Sequence, residues 1–435
     1  MRVMVIGGGG REHALCWALA GSPLTDELYC APGNAGTIKD AVSVNFAVDD
    51  VDAAVHFAHQ QRIDLVVVGP EAALAAGMTD ALIAAGCKVF GPSKAAARVE
   101  TSKAFMKDLC RRHDIPTPAH GAFTDPKSAR TFARKLTPPI AVKADGLAAG
   151  KGVRVCATRE DADAAIHEML VEKKLGAAGR TIVVEQGLAG REVSAMALVD
   201  GQTALMLPTA RDYKRAFDND EGPNTGGMGA VSPDETIDAA TLERIRAEIV
   251  QPAVDALAAE GQPFKGVLYA GVMLGEDGPQ VLEFNARFGD PEVQVLVMRL
   301  MSDLLPALVA ACDGVLDTFD LRWFEEAAVT VVMAAQGYPG AYDKGAAIEG
   351  LDNLSAEQGA MAFHAGTDMD NAGNVITAGG RVLAVTALGE SVAQARDSVY
   401  QAVRTIEWPG AHYRTDIAAD VPEIAAATGE ESASG

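Results

Sequence analysis

The chain has 435 residues, 49% of them apolar, and carries a formal charge of −22 with a pI near 4.7. That length exceeds what one hydrophobic core serves, so about two to four domains are expected, and the acidity argues against a nucleic-acid binder, which needs a basic face for phosphate. Six scattered cysteines (Cys16, Cys30, Cys87, Cys110, Cys156, Cys312) form no CxxC pair and suggest neither a zinc site nor a disulfide framework.

Met1 to Ile6 runs straight into glycines without a cleavage site, and no uninterrupted apolar run approaches the ~18 residues of a membrane span. The expectation is a cytoplasmic enzyme with neither nucleic acid nor membrane as partner. Val3 to Ile6 reads as a buried strand, Gly7 to Gly10 as a turn and Glu12 to Ala20 as a helix, a unit whose turn can hold a phosphate at the helix N-terminus. The dinucleotide fingerprint fails there: a GxGxxG begun at Gly7 puts Glu12 at the third glycine, and one begun at Gly8 puts His13 there. A strand near Leu28 to Cys30, another from Ile63 to Val68, a helix from Ala72 to Ala85 and a strand from Lys88 to Phe90 complete an open parallel α/β sheet. Ligands of such sheets bind at the carboxyl ends of the strands, where Gly9, Gly10, Asn34 and Glu71 fall. Each also reads as an ordinary turn residue.

Ser102-Lys103 opens a helix to Arg112, and Ile115 to Pro118 is the clearest linker. A helix from Ser128 to Leu136 leads into Ile140 to Val155, two β-branched runs around three glycines and two lysines (Lys143, Gly146, Gly150, Lys151, Gly152). That pattern is a hairpin rather than a strand feeding a helix. It is no Walker A loop, since Gly152 stands where Ser or Thr should follow Lys151. It reads either as a plain glycine-rich turn or as a flap whose amides and lysines cover a nucleotide triphosphate. A helix from Asp161 to Lys174 and a strand from Thr181 to Gln186 finish a small antiparallel sheet, with Glu185 at the strand end and Glu192 opening the next strand. Acids there serve either a solvated edge or an adenine and its ribose.

The polar stretch with Asp212, Lys214, Asn224 and Gly226 lacks apolar periodicity and is expected to be a loop, ordered for function or flexible. Gln280 to Glu292 is the most specific segment. Alternation puts Glu283, Asn285 and Arg287 on one face, with Leu282, Phe284 and Ala286 in the core. Glu283 and Asn285 are hard oxygen ligands suited to Mg²⁺, Arg287 can clamp a phosphate or carboxylate, and Asp290 can cap a helix beginning at Pro291. From Ala327 a strand-rich region follows with glycine turns, including Gly379-Gly380-Arg381, and His364 reads as a packed turn residue or a ligand. The tail 425–435 has nothing to bury and is expected to be disordered.

In order, the segments GGREHA (9–14), APGNAG (31–36), VGPE (68–71), SKAF (102–105), VKADGLAAGKGV (142–153), DYKR (212–215), GPNTGGMG (222–229), EFNARFGDPE (283–292), FHAGT (363–367) and GGR (379–381) resemble the glycinamide ribonucleotide synthetases of the ATP-grasp superfamily. Gly8 and Tyr213 depart from the family's usual Asn or Ser and His, and Gly271 to Leu274 offers no further acidic metal ligand. The resemblance implies an α/β and α+β multidomain fold: an N-terminal open parallel sheet (1–101), a two-lobed ATP-grasp core (102–325, small lobe about 118–190) and a C-terminal strand-rich domain (326–424). It implies a monomer that uses ATP, with Mg²⁺ or Mn²⁺, to join glycine to 5-phosphoribosylamine through a glycyl phosphate. Another ATP-grasp carboxylate-amine ligase or a carboxylase is the alternative. Carried over, Lys103, Lys143 and Gly146 to Gly152 touch ATP phosphates, Glu185 and Glu192 face adenine and ribose, and Glu283 and Asn285 hold the metal. Arg287, Asp212, Lys214, Asn224 and Gly226 stand near glycine and the acyl phosphate. Gly9, Gly10, Asn34, Glu71, Gly379, Gly380 and Arg381 hold phosphoribosylamine.

Overall fold

A computed structural model describes residues 1–148, 152–354 and 359–421. The expectations for Gly150, Lys151 and the tail 425–435 lie outside these residues. Among the described residues no helix is long and apolar enough to cross a membrane.

The first sheet is parallel, in the order β3-β2-β1-β4-β5. Its elements are β1 (Arg2–Gly7), α1 (Gly10–Ala20), β2 (Glu27–Pro32), β3 (Val42–Ser43), α2 (Val51–Gln61), β4 (Leu65–Val68), α3 (Glu71–Ala76), α4 (Met78–Ala84) and β5 (Lys88–Phe90). The single helix expected from Ala72 to Ala85 is broken at Gly77, whose φ of +95° ends α3 and starts α4. After α5 (Arg98–Thr101), α6 (Lys103–Arg112) begins where the Ser102 hydroxyl accepts the Phe105 N–H at 3.1 Å.

The small lobe contains β6 (His120–Phe123), α7 (Pro126–Ala133), β7 (Ile140–Ala144), β8 (Val153–Cys156), α8 (Arg159–Ile166) and β9 (Ile182–Gln186), with its antiparallel sheet ordered β6-β9-β7-β8. α7 starts two residues before its expected position because the Asp125 carboxylate accepts the Ser128 N–H at 2.7 Å, with Pro126 in the first turn.

The large lobe begins with β10 (Arg191–Asp200) and β11 (Ala204–Met206). The expected loop is instead four short strands, β12 (Arg211–Asp212), β13 (Arg215–Phe217), β14 (Glu221–Asn224) and β15 (Gly229–Ser232). Local sequence could not show this, because β15 takes its partner from about a hundred residues later in the chain, Gly229 lying opposite Val331. α9 (Ala239–Ile245), α10 (Gln251–Ala259), β16 (Lys265–Gly275), β17 (Gly278–Asn285), α11 (Glu292–Arg299) and α12 (Leu304–Asp313) follow, and β11-β10-β16-β17 form the lobe's antiparallel sheet. The C-terminal region contributes β18 (Ala327–Ala334), β19 (Ala360–His364), β20 (Thr367–Met369), β21 (Val375–Thr377), β22 (Arg381–Gly389) and α13 (Val392–Val403). Its main sheet, β12-β15-β18-β22-β19, takes two strands from the large lobe.

Packing separates one piece from the rest. The two faces of the first sheet share apolar cores with the large lobe, one through Val193, Leu268 and Phe284, the other through Phe288, Val293 and Leu308. The small lobe packs a core of its own from Ala129 to Val184. Polar contacts therefore carry much of what joins it to the large lobe.

Candidate active site

The hairpin β7/β8 pairs Lys143 with Val153, and β17 lies beside its base. The Lys143 side chain is buried, donates to the Leu282 carbonyl at 3.1 Å and pairs with Glu185. A bulge in β17 makes that contact available: the register jumps from Val272 opposite Val281 to Gly271 opposite Glu283, so Leu282 is the extra residue. The bulge corrects the expected alternation, since Val281, Phe284 and Ala286 enter the core while Leu282 stays half-buried. Lys103 is brought close by its neighbours: Asp145 accepts from the Ser102 hydroxyl at 2.9 Å and the Ala104 N–H at 2.8 Å, and its carbonyl takes the Lys103 N–H at 3.2 Å. Gly146 packs where a Cβ would sit 2.9 Å from the Ala178 backbone, and at Gly152 one would sit 2.9 Å from Ala148.

Glu283 lies opposite Gly271 of the neighbouring strand. Burial pushes the Glu283 carboxyl up, but Lys143, Lys103, Lys214 and Arg287 outweigh it and hold it below its ordinary range. It is therefore an anion set among cations. Asn285 follows on the same strand face, opposite Tyr269. One ionised carboxylate and one amide oxygen fit a Mg²⁺ ion that completes its shell with water and nucleotide phosphates. Among the described residues no group of three acidic, histidine or cysteine side chains forms a cage.

A second cluster faces β17. Lys214 pairs with Glu192 and lies 3.4 Å from Asp212. Burial would lower the Lys214 pKa, yet Asp212 and Glu192 raise it above normal, so it is firmly charged. The Ser194 hydroxyl contacts Tyr269 Oη at 2.6 Å, and that phenol donates to Glu292 Oε1 at 2.6 Å. Burial, then the nearby Asp212, pushes the Glu292 carboxyl up to about 7. Asn224 is exposed in β14 opposite Arg215. The Gly226 N–H donates to Tyr338 Oη at 3.1 Å, and its carbonyl accepts from Arg381 at 2.7 Å.

The N-terminal residues close the other side. Arg287 donates to Glu71 at 3.3 Å and pairs with Glu100 at 3.2 Å, so the residue expected near the acyl phosphate and the one expected at phosphoribosylamine are in contact. Asp290 is not the helix cap it was expected to be. α11 starts at Glu292 with no side-chain cap, while Asp290 accepts from Gln294 at 2.9 Å and pairs with Arg381 at 3.1 Å. Gly9 and Gly10 lie against it, their Cβ positions 3.7 and 3.5 Å from its carboxylate. Asn34 is spent on structure: its amide donates to Gly8 O at 3.0 Å and His364 O at 2.8 Å, and its oxygen accepts from Gly36 and Thr37. His364 is packed, its N–H donating to His13 Nδ1 at 2.7 Å, and burial first, then His13, lowers its pKa to about 3. Gly379 touches Gly366, and a Cβ on Gly380 would run into the Tyr338 ring.

Sequence reasoning missed Glu100, Lys107, Ser194, Tyr269, Tyr338 and the buried role of Glu292. Lys107 alone left a trace, one helical turn after Lys103 yet beside the apolar Met106 and Cys110.

Two lobes that meet over a glycine-lysine hairpin, with an acid-amide pair on the facing strand, define an ATP-grasp enzyme. Biotin carboxylases share this fold: a domain of the Hydrogenobacter thermophilus 2-oxoglutarate carboxylase superposes with a TM-score of 0.72 over 95% of this chain and 91% of its own, at 17% identity. The family models for phosphoribosylglycinamide synthetase match as N domain over residues 1–100, ATP-grasp (A) domain over 101–293 and C domain over 328–420, and the chain belongs to this family. The phosphoribosylamine–glycine ligase of Brucella melitensis is 50% identical over 417 residues, 96% of this chain and 97% of that protein. Its Salmonella typhimurium counterpart is 48% identical over 420 residues, 96% and 98% of the two chains. A crystal structure of the Thermotoga maritima ligase superposes with a TM-score of 0.85 at 33% identity, covering 96% of this chain and all of that one.

Proposed function

We propose that this protein ligates glycine to 5-phosphoribosylamine with ATP, giving glycinamide ribonucleotide, ADP and phosphate, a step of purine biosynthesis. The observation that carries the reading is the contact of Arg287, on the segment that follows the metal-ligand strand, with Glu71 at the edge of the N-terminal sheet. It joins a nucleotide cleft to a second substrate site within one family's three matched domains. A glycine carboxylate oxygen attacks the γ-phosphorus and ADP leaves; the phosphoribosylamine nitrogen then attacks the acyl carbon, loses a proton and expels phosphate. No enzyme nucleophile is required.

In this reading Lys103 and Lys143 neutralise the polyphosphate, with Gly146 and Gly152 above it, while Glu185 and Glu192 lie toward adenine and ribose. Glu283 and Asn285 would hold a Mg²⁺ or Mn²⁺ ion, which would supply charge neutralisation for phosphoryl transfer. Arg287, Asp212, Lys214, Asn224 and Gly226 orient glycine and its phosphate. Gly9, Gly10, Asn34, Glu71, Gly379, Gly380 and Arg381 shape the phosphoribosylamine site, where Asn34 and Arg381 act through the loops they hold. Aimed charges and exclusion of water from the acyl phosphate account for the rate. With a charge of −22 favouring solubility, the working form we propose is a cytoplasmic monomer acting on small molecules alone.

The test is phosphate release by the purified protein with ATP, glycine and freshly made phosphoribosylamine. Release is expected only when all three are present. None under those conditions sinks the reading, and dependence on bicarbonate instead of glycine favours a carboxylase. Glu283→Ala should lower kcat at least about a hundredfold with little change in Tm; full activity would contradict the metal assignment.

A further inference from the structure

Lys107 has no part in the roles above, yet its side chain is only 1% exposed. Its ammonium, a donor only, hydrogen-bonds Thr117 Oγ1 at 2.6 Å and the Val281 carbonyl at 3.3 Å, and forms an ion pair with Glu185 Oε2 at 2.7 Å. Lys143 approaches the other oxygen of Glu185 and donates to the next carbonyl, Leu282. Two lysines from different elements thus share one carboxylate of the small lobe and grip consecutive carbonyls of β17 immediately before Glu283. Thr117, in the linker, also donates to Val281 O at 2.8 Å. The small lobe has its own apolar core, so these bonds fix its inner strands against the strand of the metal ligands.

We infer that Lys107 is a positioning residue for the nucleotide site: it neutralises Glu185 and ties it to β17, leaving Lys143 as the cation that a polyphosphate can recruit. The inference rests on the reading of Lys143 as a phosphate ligand. The triad carries one net positive charge. Without Lys107, Glu185 is a buried carboxylate with Lys143 as its remaining cation, and a nucleotide must break that pair at the full cost of stranding an anion. With Lys107 in place the anion keeps a partner when Lys143 turns toward phosphate. Burial pulls the Lys107 pKa down to about 8, with Glu185 opposing and Lys143 adding to the fall, so it is still an ammonium at neutral pH.

The experiment measures binding of a non-hydrolysable ATP analogue with Mg²⁺ to the full-length protein, for wild type, Lys107→Met, Glu185→Gln and the double variant. Lys107→Met is expected to weaken binding at least tenfold and to raise the KM for ATP with a smaller change in kcat. On the Glu185→Gln background the same substitution should cost nothing further, because no anion remains to be stranded. Losses that multiply in the double variant, or unchanged affinity in Lys107→Met, overturn the inference. Should Lys107→Met fail to fold, the comparison of Glu185→Gln with the double variant still decides: equal affinities support it, and a further tenfold loss refutes it. Failure of the wild type to bind the analogue at all would instead refute the ATP reading.

Discussion

Two junctions hold this molecule together, and they are built from opposite materials. Where the first sheet meets the C-terminal sheet, hydrogen bonds join Asn34, His13, His364 and Thr367, and the buried His364 is kept uncharged. Where it meets the large lobe, Arg287 is set between Glu71 and Glu100, and behind it, within that lobe, Glu292 lies near Asp212. The hydrogen-bonded junction rests mainly on backbone carbonyls and amides of the protein itself. The charged one carries ions whose balance depends on what else arrives, which suits a place where anionic substrates come and go.

Removing one ion from the charged junction should have the largest effect. Arg287→Met leaves Glu100 buried and unpaired, and chemical denaturation should show a loss of about 3 kcal/mol, most of it regained when Glu100→Gln is added. A loss unaffected by the second change would mean that packing, not charge, holds the junction. In the hydrogen-bonded junction Asn34→Ala should cost about 1 to 3 kcal/mol, with no rescue from Glu100→Gln. A cost below this would show that the Gly8 and His364 carbonyls find other donors.

The smallest expected effect is on the pH dependence of stability. Glu292 keeps its proton in the native state up to about 7, against an ordinary 4.5, so between these values the native state binds a proton that the unfolded chain has released, and stability falls as pH rises through that window. Glu292→Gln should flatten the decline of Tm across it. An unchanged slope would show that Glu292 is already ionised there.

Much of this architecture could be read from the chain, and the limits follow a physical line. The first parallel sheet, the hairpin at Ile140 to Val155 and the strand bearing Glu283 were legible because their signals are local: apolar runs, period-two alternation and glycine turns. Residues that act through distant partners were not. Lys107 meets Val281, Glu100 meets Arg287, and Asp290 meets Arg381, across separations that no periodicity records. The bulge at Leu282 was hidden for another reason, since an extra residue in one strand is defined only by its partner strand. The break at Gly77 could have been weighed from the glycine itself, and the strands at 211–232 could not.

Those short strands have a bearing on the order of assembly. β12, which carries Asp212, and β15, which follows Lys214, Asn224 and Gly226, belong to a sheet whose next members are β18 and β22. A chain emerging during synthesis has made these residues long before it has made the strand that pairs with them, while the small lobe, with a core drawn from residues 129 to 184 alone, needs nothing that comes later. The small lobe is thus able to form early. The sheet around Asp212 and Gly226 waits for the far end of the chain, so an unfinished molecule holds a finished small lobe facing an unfinished sheet.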